Sequence, residues 1–167
     1  AIWQGIKDGT LQVIATDHCS FDFHGDKQNG KDDFTKCPNG APGVETRMPI
    51  VFSEGVSKGR LSLNEFAAVT STNPAKIFGM YPKKGVLAPG SDADIVLMNP
   101  DMEVTITKNI LHENVDYTPY EGIQVKGWPV MTMVRGQAVV ENERLQVPLG
   151  FGRYINRKPV KYTELLK

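Results

Sequence analysis

Residues 11–20 read Leu-Gln-Val-Ile-Ala-Thr-Asp-His-Cys-Ser, and they are the most informative stretch of this chain. The run is mostly apolar or β-branched until it ends abruptly at an acid, a histidine and a thiol. A short run of this kind, bounded by Gly9 and by polar residues, predicts a strand buried on both faces. In α/β folds, ligands and catalytic groups collect at the carboxyl ends of such strands. Asp17 lies at that end and is therefore the first candidate for a catalytic residue.

The segments on either side of this run extend the α/β pattern. Ile2, Trp3 and Ile6 recur at helical spacing, and Gly9 is placed to end that helix. Residues 19–43, by contrast, show no periodicity and are rich in Asp, Lys, Gly and Asn. A loop of this length in a compact domain is usually functional or disordered. Because its phenylalanines can pack against the rest of the protein, we predict an ordered active-site loop.

Helices are predicted for the next part of the chain. Apolar residues recur at helical spacing over residues 44–58. Ser62 is a good N-cap for a second helix, and Glu65, three residues later, completes a capping box. We expect the dipeptide Asn73-Pro74 to break that helix and to start another.

After Tyr81 the pattern changes from helices to short strands. Two apolar runs flank residues 99–101 (Asn-Pro-Asp), which are typical of a turn. Two more flank residues 136–137 (Gly-Gln), which indicate a hairpin. This half therefore predicts antiparallel β-structure, and the basic, weakly patterned residues 150–167 predict an extended arm.

Composition excludes several classes of partner. The 167 residues contain 19 Lys and Arg against 19 Asp and Glu, so bulk charge favours neither a nucleic acid nor an anionic membrane. No apolar run approaches the roughly 20 residues of a membrane span, and no signal peptide is visible. With Cys19 and Cys37 expected to be reduced thiols, we predict a cytoplasmic protein. The chain opens at Ala1 inside an amphipathic pattern, so we expect it to be part of a longer protein.

Four stretches resemble the sequences of known enzymes. Residues 16–20 (Thr-Asp-His-Cys-Ser) and 38–49 (Pro-Asn-Gly-Ala-Pro-Gly-Val-Glu-Thr-Arg-Met-Pro) closely resemble hydantoinases and dihydropyrimidinases. Residues 73–79 (Asn-Pro-Ala-Lys-Ile-Phe-Gly) and 85–96 (Gly-Val-Leu-Ala-Pro-Gly-Ser-Asp-Ala-Asp-Ile-Val) resemble the closing motifs of the wider amidohydrolase superfamily. Within that superfamily, residues 16–20 and 38–49 together narrow the resemblance to the cyclic amidohydrolases.

The resemblance implies an α/β fold in which a TIM (β/α)8 barrel is joined to an antiparallel β-sandwich. This chain would be the C-terminal part of that fold. Residues 1–80 would hold the last barrel strand (11–16), the active-site loop and the closing helices. Residues 81–149 would form the C-terminal strands of the sandwich, and residues 150–167 the extended C-terminal arm.

The resemblance also implies metal-dependent hydrolysis of hydantoins or 5,6-dihydropyrimidines to N-carbamoyl amino acids. In such enzymes two divalent ions, usually zinc, are held by four histidines, a carboxylated lysine and an aspartate at the end of the eighth strand. Only the aspartate is present here, as Asp17. It would act as a metal ligand and as the general acid/base that moves the proton of the attacking water. The alternative is a strand-end aspartate that caps a turn.

Asn39 matches the position at which this family holds the cyclic amide through main-chain groups. Pro38 restricts the backbone on one side and Gly40 frees it on the other, which suits the presentation of a carbonyl to a ligand. The alternative is an Asn-Gly turn without a binding role. If the main chain makes the contact, an Asn39→Ala substitution should have little effect.

The remaining polar residues predict supporting roles. His18 should face away from Asp17, because adjacent strand residues point to opposite faces, so we favour packing or hydrogen bonding behind the site. A separate zinc site built from His18, Cys19, His24 and Cys37 matches no usual ligand spacing. Glu45 and Arg47 are expected to anchor the loop, and His112 to lie at a surface or interface.

Two other functions remain open from sequence. One is a non-catalytic dihydropyrimidinase-like protein that keeps the fold and lacks the metal ligands. The other is an allantoinase or dihydroorotase, which performs the same chemistry on another ring. The family suggests a homo-oligomer, a tetramer or a dimer, acting on a small cyclic ureide or imide. We expect these 167 residues alone to be inactive, since they lack the other metal ligands.

Overall fold

The computed structural model describes residues 1–160, in which helices and loops precede an antiparallel sheet. The sheet has four strands in the order β1-β2-β3-β4, each antiparallel to its neighbour. The regular elements are α1 (Ile2–Lys7), α2 (Arg47–Val51), α3 (Leu63–Ala67), α4 (Asn73–Ile77), β1 (Ile95–Thr105), β2 (Gln124–Val134), β3 (Gln137–Glu141) and β4 (Arg144–Leu145). Among residues 1–160, no helix is both long enough and apolar enough to cross a membrane.

Residues 11–16 form no β-ladder, although the sequence predicts a buried strand there. Their backbone is held instead by the helices: the Ile14 amide donates to the Val69 carbonyl at 3.1 Å, and Arg47 donates to the Ile14 carbonyl at 2.8 Å. Leu11 remains 42% exposed. A strand exists only by exchanging hydrogen bonds with a neighbouring strand. No described strand lies beside this segment, so the prediction fails for these residues taken alone.

The second predicted helix begins as expected and then continues further than expected. The Ser62 hydroxyl accepts from the Glu65 amide at 3.2 Å, and the Glu65 carboxylate accepts from the Ser62 amide at 2.7 Å, which confirms the capping box. The amide and the hydroxyl of Ser62 both donate to the Glu65 carboxylate and lower its pKa. The expected break at Asn73-Pro74 is wrong, because a π-helical turn over Ala68–Thr72 leads directly into α4. Pro74 has no amide hydrogen and cannot donate the usual helical hydrogen bond, and the wider π-helical turn before it accommodates this loss.

The sheet contains a bulge where the sequence predicts a turn. Residues 99–101 lie inside β1, which runs unbroken from Ile95 to Thr105. Asn99 pairs with Trp128 and Glu103 pairs with Lys126, so the extra residues of β1 bulge out of the ladder. The Asp101 amide donates to the Asn99 side chain at 3.1 Å. The local turn chemistry is therefore real, but it bends the strand instead of reversing it.

The predicted hairpin near Gly136 is confirmed, one residue earlier along the chain. Arg135 and Gly136 connect β2 to β3, with φ angles of 52° and 79°. Positive φ at both central residues is what a two-residue type I′ turn requires. Arg135 also places its guanidinium 4.4 Å from the Phe151 ring, which holds the start of the extended arm against the sheet.

The helical half is joined to the sheet by a close contact between β2 and the residues that follow α2. After α2 the helix widens into a π-helical turn over Phe52–Ser57. A Cβ at Gly127 would lie 2.2 Å from the Phe52 ring, so only glycine fits in this part of β2. The Ser53 hydroxyl accepts from the Lys126 amide at 3.0 Å beside it. This contact fixes the end of α2 relative to the sheet.

The described part of the arm, residues 150–160, contains no helix or strand. Its Lys158 amide donates to the Gly79 carbonyl at 2.9 Å, so it returns to the end of α4. This agrees with the predicted extended arm as far as Val160, and the rest of that prediction lies outside the described residues. The division into segments at residues 80 and 149 stays a prediction.

Candidate active site

Asp17 has a left-handed backbone conformation, and its carboxylate has no partner among the described residues. Its φ angle is 49°, which is uncommon for a residue other than glycine and is tolerated best by Asp and Asn. The residue is exposed. Within residues 1–160 its carboxylate accepts no hydrogen bond and joins no ion pair, and the following amide, that of His18, donates to Thr16 instead at 3.2 Å. The alternative role of capping a turn therefore finds no support.

His18 fastens the far end of the loop. Its Nδ1 accepts from the amides of Gly43 at 3.1 Å and Val44 at 3.3 Å. With Nδ1 acting as an acceptor, Nε2 is the ring nitrogen left to carry a hydrogen. The hydrogen-bonding role predicted for His18 is thus what the structure shows.

Glu113 is a buried carboxylate that the sequence pattern does not reveal. Its side chain is only 5% exposed, and its Oε1 lies 3.7 Å from His18 Nδ1. The same oxygen accepts from the Glu45 amide at 3.2 Å. The other oxygen is buried and has no hydrogen-bond partner among the described residues. Glu113 lies on the connection between β1 and β2 and contacts His18 and Glu45, the residues that flank the loop. No local motif in the sequence indicates this long-range contact.

Glu45 and His112 form a pair beside Glu113. The Glu45 carboxylate contacts His112 Nδ1 at 2.7 Å and accepts from the His112 amide, also at 2.7 Å. This hydrogen bond, together with the charge of Glu45, raises the pKa of His112. The predicted anchoring role of Glu45 therefore has a specific partner. Arg47 anchors residues 11–16 through the Ile14 carbonyl instead of the loop.

The pair predicts a pH-dependent contribution to stability. Because the pKa of His112 is raised in the folded state, the stabilisation is full below its unfolded value of about 6.5 and is lost as the pH rises through the folded value. A His112→Gln variant of the full-length protein should therefore lose more unfolding free energy at about pH 5.5 than at about pH 9. Denaturant unfolding at the two pH values measures this, with Glu45→Gln as the matched variant. An equal loss at both pH values would contradict it.

The start of the loop is fastened by Asp116. Its carboxylate accepts from the amides of Phe23 at 2.6 Å and His24 at 2.9 Å, and it contacts His24 Nδ1 at 2.8 Å. The backbone hydrogen bonds, that of His24 first, lower the pKa of Asp116. The Phe23 ring packs 5.7 Å from that of Tyr117, centroid to centroid. The loop is thus tied down at both ends, in agreement with the prediction of an ordered loop.

Asn39 lies on a segment that packs against the residues after Asp17. The Cys19 amide donates to the Ala41 carbonyl at 3.3 Å. Gly40 has a φ angle of 116°, and a Cβ there would lie 2.3 Å from the Cys19 carbonyl oxygen. Asn39 itself is exposed, and its main-chain N–H and C=O make no hydrogen bond within the described part of the chain. The two candidate residues therefore lie on segments in direct contact.

The described residues do not complete a metal site by themselves. No group of three or more His, Cys, Asp or Glu side chains is arranged to hold an ion in residues 1–160. The zinc site considered for His18, Cys19, His24 and Cys37 is accordingly not formed, and both cysteines are free thiols. An uncommitted carboxylate such as that of Asp17 is a suitable oxygen ligand for a divalent cation. The chain can thus supply one ligand to a site completed by other residues.

Comparison with known proteins identifies the class. A model of the amidohydrolase family matches residues 1–139, so the chain belongs to the amidohydrolase family. Enzymes of this family are generally metal-dependent.

Its relatives are hydantoinases and dihydropyrimidinases, as the motifs predict. The chain is 47% identical over 165 residues to the D-hydantoinase of Geobacillus stearothermophilus, covering 99% of this chain and 35% of that protein. It is 46% identical over 158 residues to D-phenylhydantoinase of Escherichia coli O1:K1, covering 95% and 34%.

Solved structures agree on the fold. The dihydropyrimidinase from Brevibacillus agri NCHU1002 is 50% identical, with a TM-score of 0.93 over 96% of this chain and 35% of that one. The L-hydantoinase from Arthrobacter aurescens is 39% identical, with a TM-score of 0.84 over 93% and 34%. The predicted α/β fold class is confirmed, and the chain spans about a third of the length of these relatives.

Proposed function

We propose that the full-length protein containing this chain hydrolyses the cyclic amide bond of hydantoins or 5,6-dihydropyrimidines to give N-carbamoyl amino acids. The observation that carries the proposal is the free carboxylate of Asp17, in a chain that is 47% identical to a D-hydantoinase. Its left-handed backbone and its freedom from hydrogen bonds within the described residues suit a side chain kept for a ligand.

Asp17 would perform two tasks in this reaction. With histidines and a carboxylated lysine outside this chain, it would hold two divalent cations, zinc in our proposal, which lower the pKa of a water and polarise the substrate carbonyl. As general base, the Asp17 carboxylate takes the proton of that water as its oxygen attacks the ring carbonyl. The protonated carboxyl then gives the same proton to the ring nitrogen as the C–N bond breaks, so one residue serves both proton transfers.

Asn39 would hold the ring through its main chain. A cyclic amide presents a C=O and an N–H side by side, and Asn39 offers the complementary N–H and C=O, both unengaged in the described part of the chain. The contact between Gly40 and Cys19 supports this role, because it holds the segment of Asn39 beside that of Asp17. Recognition by the main chain leaves the Asn39 side chain dispensable.

Two further features of the full-length protein, and one of this chain alone, belong to the same proposal. It acts in the cytoplasm, consistent with the free thiols of Cys19 and Cys37. It forms a tetramer or dimer, to which the arm contributes, since the large Tyr154 side chain on the arm is 87% exposed. The 167-residue chain alone is inactive, because residues 1–160 hold no complete metal-binding group.

The test is a substrate panel with the metal-loaded full-length protein. Hydantoin, dihydrouracil, allantoin and dihydroorotate are supplied in turn, and the ring-opened product is measured for each. We expect turnover of hydantoin or dihydrouracil. Turnover of allantoin or dihydroorotate alone would instead establish one of the related ring specificities, and no turnover of any ring would indicate a non-catalytic relative.

A further inference from the structure

Lys27 reaches across the loop to the two carbonyls that flank Asn39. Its ammonium donates to the Pro38 carbonyl at 2.5 Å and to the Gly40 carbonyl at 2.6 Å. Both are charge-assisted hydrogen bonds, which are shorter and stronger than neutral ones. We propose that Lys27 is the positioning residue that holds the main chain of Asn39 in its substrate-binding conformation, an inference that rests on the function proposed above.

The surroundings of the Lys27 ammonium favour its hydrogen bonds to the Pro38 and Gly40 carbonyls. The ammonium lies 5.5 Å from the centre of the Phe21 ring, and in the described residues it forms no ion pair with a carboxylate. Its positive charge is therefore balanced by carbonyl dipoles and by the aromatic face. A lysine that served only solubility would leave its charge in water.

The loop is closed so that Lys27 stays opposite Asn39. Lys27 begins a 3-10 turn over Lys27–Gly30, and its amide donates to the Asp22 carbonyl at 3.1 Å. A Cβ at Gly30 would lie 2.4 Å from the Cys37 Cβ, so the end of this turn touches the residue just before Pro38. This close approach sets the distance that the lysine side chain has to span.

The contact does more than fix the position of Asn39. The Pro38 carbonyl and the Asn39 N–H belong to the same peptide group. An ammonium bound to the oxygen of that group polarises it, which makes the N–H a stronger hydrogen-bond donor. The Asn39 N–H would meet the carbonyl oxygen of the cyclic amide, so Lys27 would strengthen the binding of the ring without touching it. Lys27 thus acts on substrate affinity through Asn39.

Two substitutions in the full-length protein test this. Lys27→Met keeps the length and apolar stem but removes the charge, and Lys27→Arg keeps the charge. Lys31→Met is the matched control, because Lys31 is exposed on the same loop and its side chain makes no hydrogen bond among the described residues. For hydantoin or dihydrouracil we expect Lys27→Met to raise KM about tenfold with little change in kcat, because uniform binding is lost. Lys27→Arg should recover part of the affinity, and Lys31→Met should match the wild type.

Amide hydrogen exchange of residues 37–41 gives a readout that does not depend on activity. Exchange there should accelerate about tenfold in Lys27→Met and not in Lys31→Met. Unchanged exchange would overturn the proposal, and faster exchange with an unchanged KM would overturn the link to substrate. If the wild type opens no ring, the proposed function fails and the substrate link fails with it, whereas exchange still decides whether Lys27 holds the Asn39 segment.

Discussion

An Asp17→Asn variant of the full-length protein should lose about 10³- to 10⁴-fold in kcat for ring opening while it remains folded. The amide cannot accept the proton of the attacking water, and it is a poorer metal ligand than a carboxylate. Folding should be spared because Asp17 is exposed and its carboxylate holds no other described residue. Asn also tolerates the φ angle of 49° as well as Asp does. The variant therefore removes the carboxylate that would bind metal and accept the proton, without straining the backbone.

The measurements for this variant are kcat, bound metal and the melting temperature. We expect kcat and the amount of bound metal to fall. The melting temperature should equal that of the wild type when both proteins carry the same amount of metal. Asp32→Asn is the matched control, because Asp32 is an exposed acid of the same loop. A wild-type kcat in Asp17→Asn would show that the general acid/base lies elsewhere.

A Gly40→Ala substitution should lower kcat/KM about 100-fold, because it forces apart the two segments that carry the candidate residues. The new Cβ would lie 2.3 Å from the Cys19 carbonyl oxygen and 2.7 Å from the Cys19 Cβ. The clash is with backbone and cannot be relieved by rotating a side chain. Either the segment of Asn39 or the residues after Asp17 must move.

Gly25 provides a control that separates this clash from backbone strain. Its φ angle is 115°, against 116° for Gly40, and a Cβ there would meet no atom within 4 Å. Gly25→Ala therefore introduces the same left-handed strain on the same loop without a steric conflict. Comparing kcat/KM and melting temperature of the two variants isolates the contact with Cys19. Equal losses in both would mean that this contact does not position the site.

Local sequence patterns predicted the features that depend on neighbouring residues. The capping box of Ser62 and Glu65 and the hairpin at Gly136 follow from residue types a few positions apart. The motifs around Asp17 and Asn39 likewise predicted the family to which the chain belongs. The roles of those two residues remain proposals, because Asp17 acts on a metal and a substrate, and Asn39 on a substrate.

Features that depend on distant residues could not be predicted. The Glu113 carboxylate contacts Glu45, just after the loop, from 68 positions away, and the Asp116 carboxylate contacts the loop itself from 92 or more positions away. No periodicity in the sequence reveals either contact. Residues 99–101 carry turn chemistry, yet pairing with β2 holds them in a bulged strand. Residues 11–16 show the opposite case: their residue types favour a strand, but no strand within residues 1–160 pairs with them. Tertiary contacts decide between these outcomes.

Metal-dependent opening of cyclic amides by the full-length protein is the proposal on which the other predictions depend. The most direct measurement is turnover of hydantoin and dihydrouracil by the full-length protein before chelation, after it, and after a divalent metal is returned. We expect at least one ring to be opened to its N-carbamoyl amino acid, chelation to abolish the reaction, and added metal to restore it. Ring opening that persists in the metal-free protein would show that the reaction needs no metal, and a fully metal-loaded protein that opens neither ring would refute the proposed function.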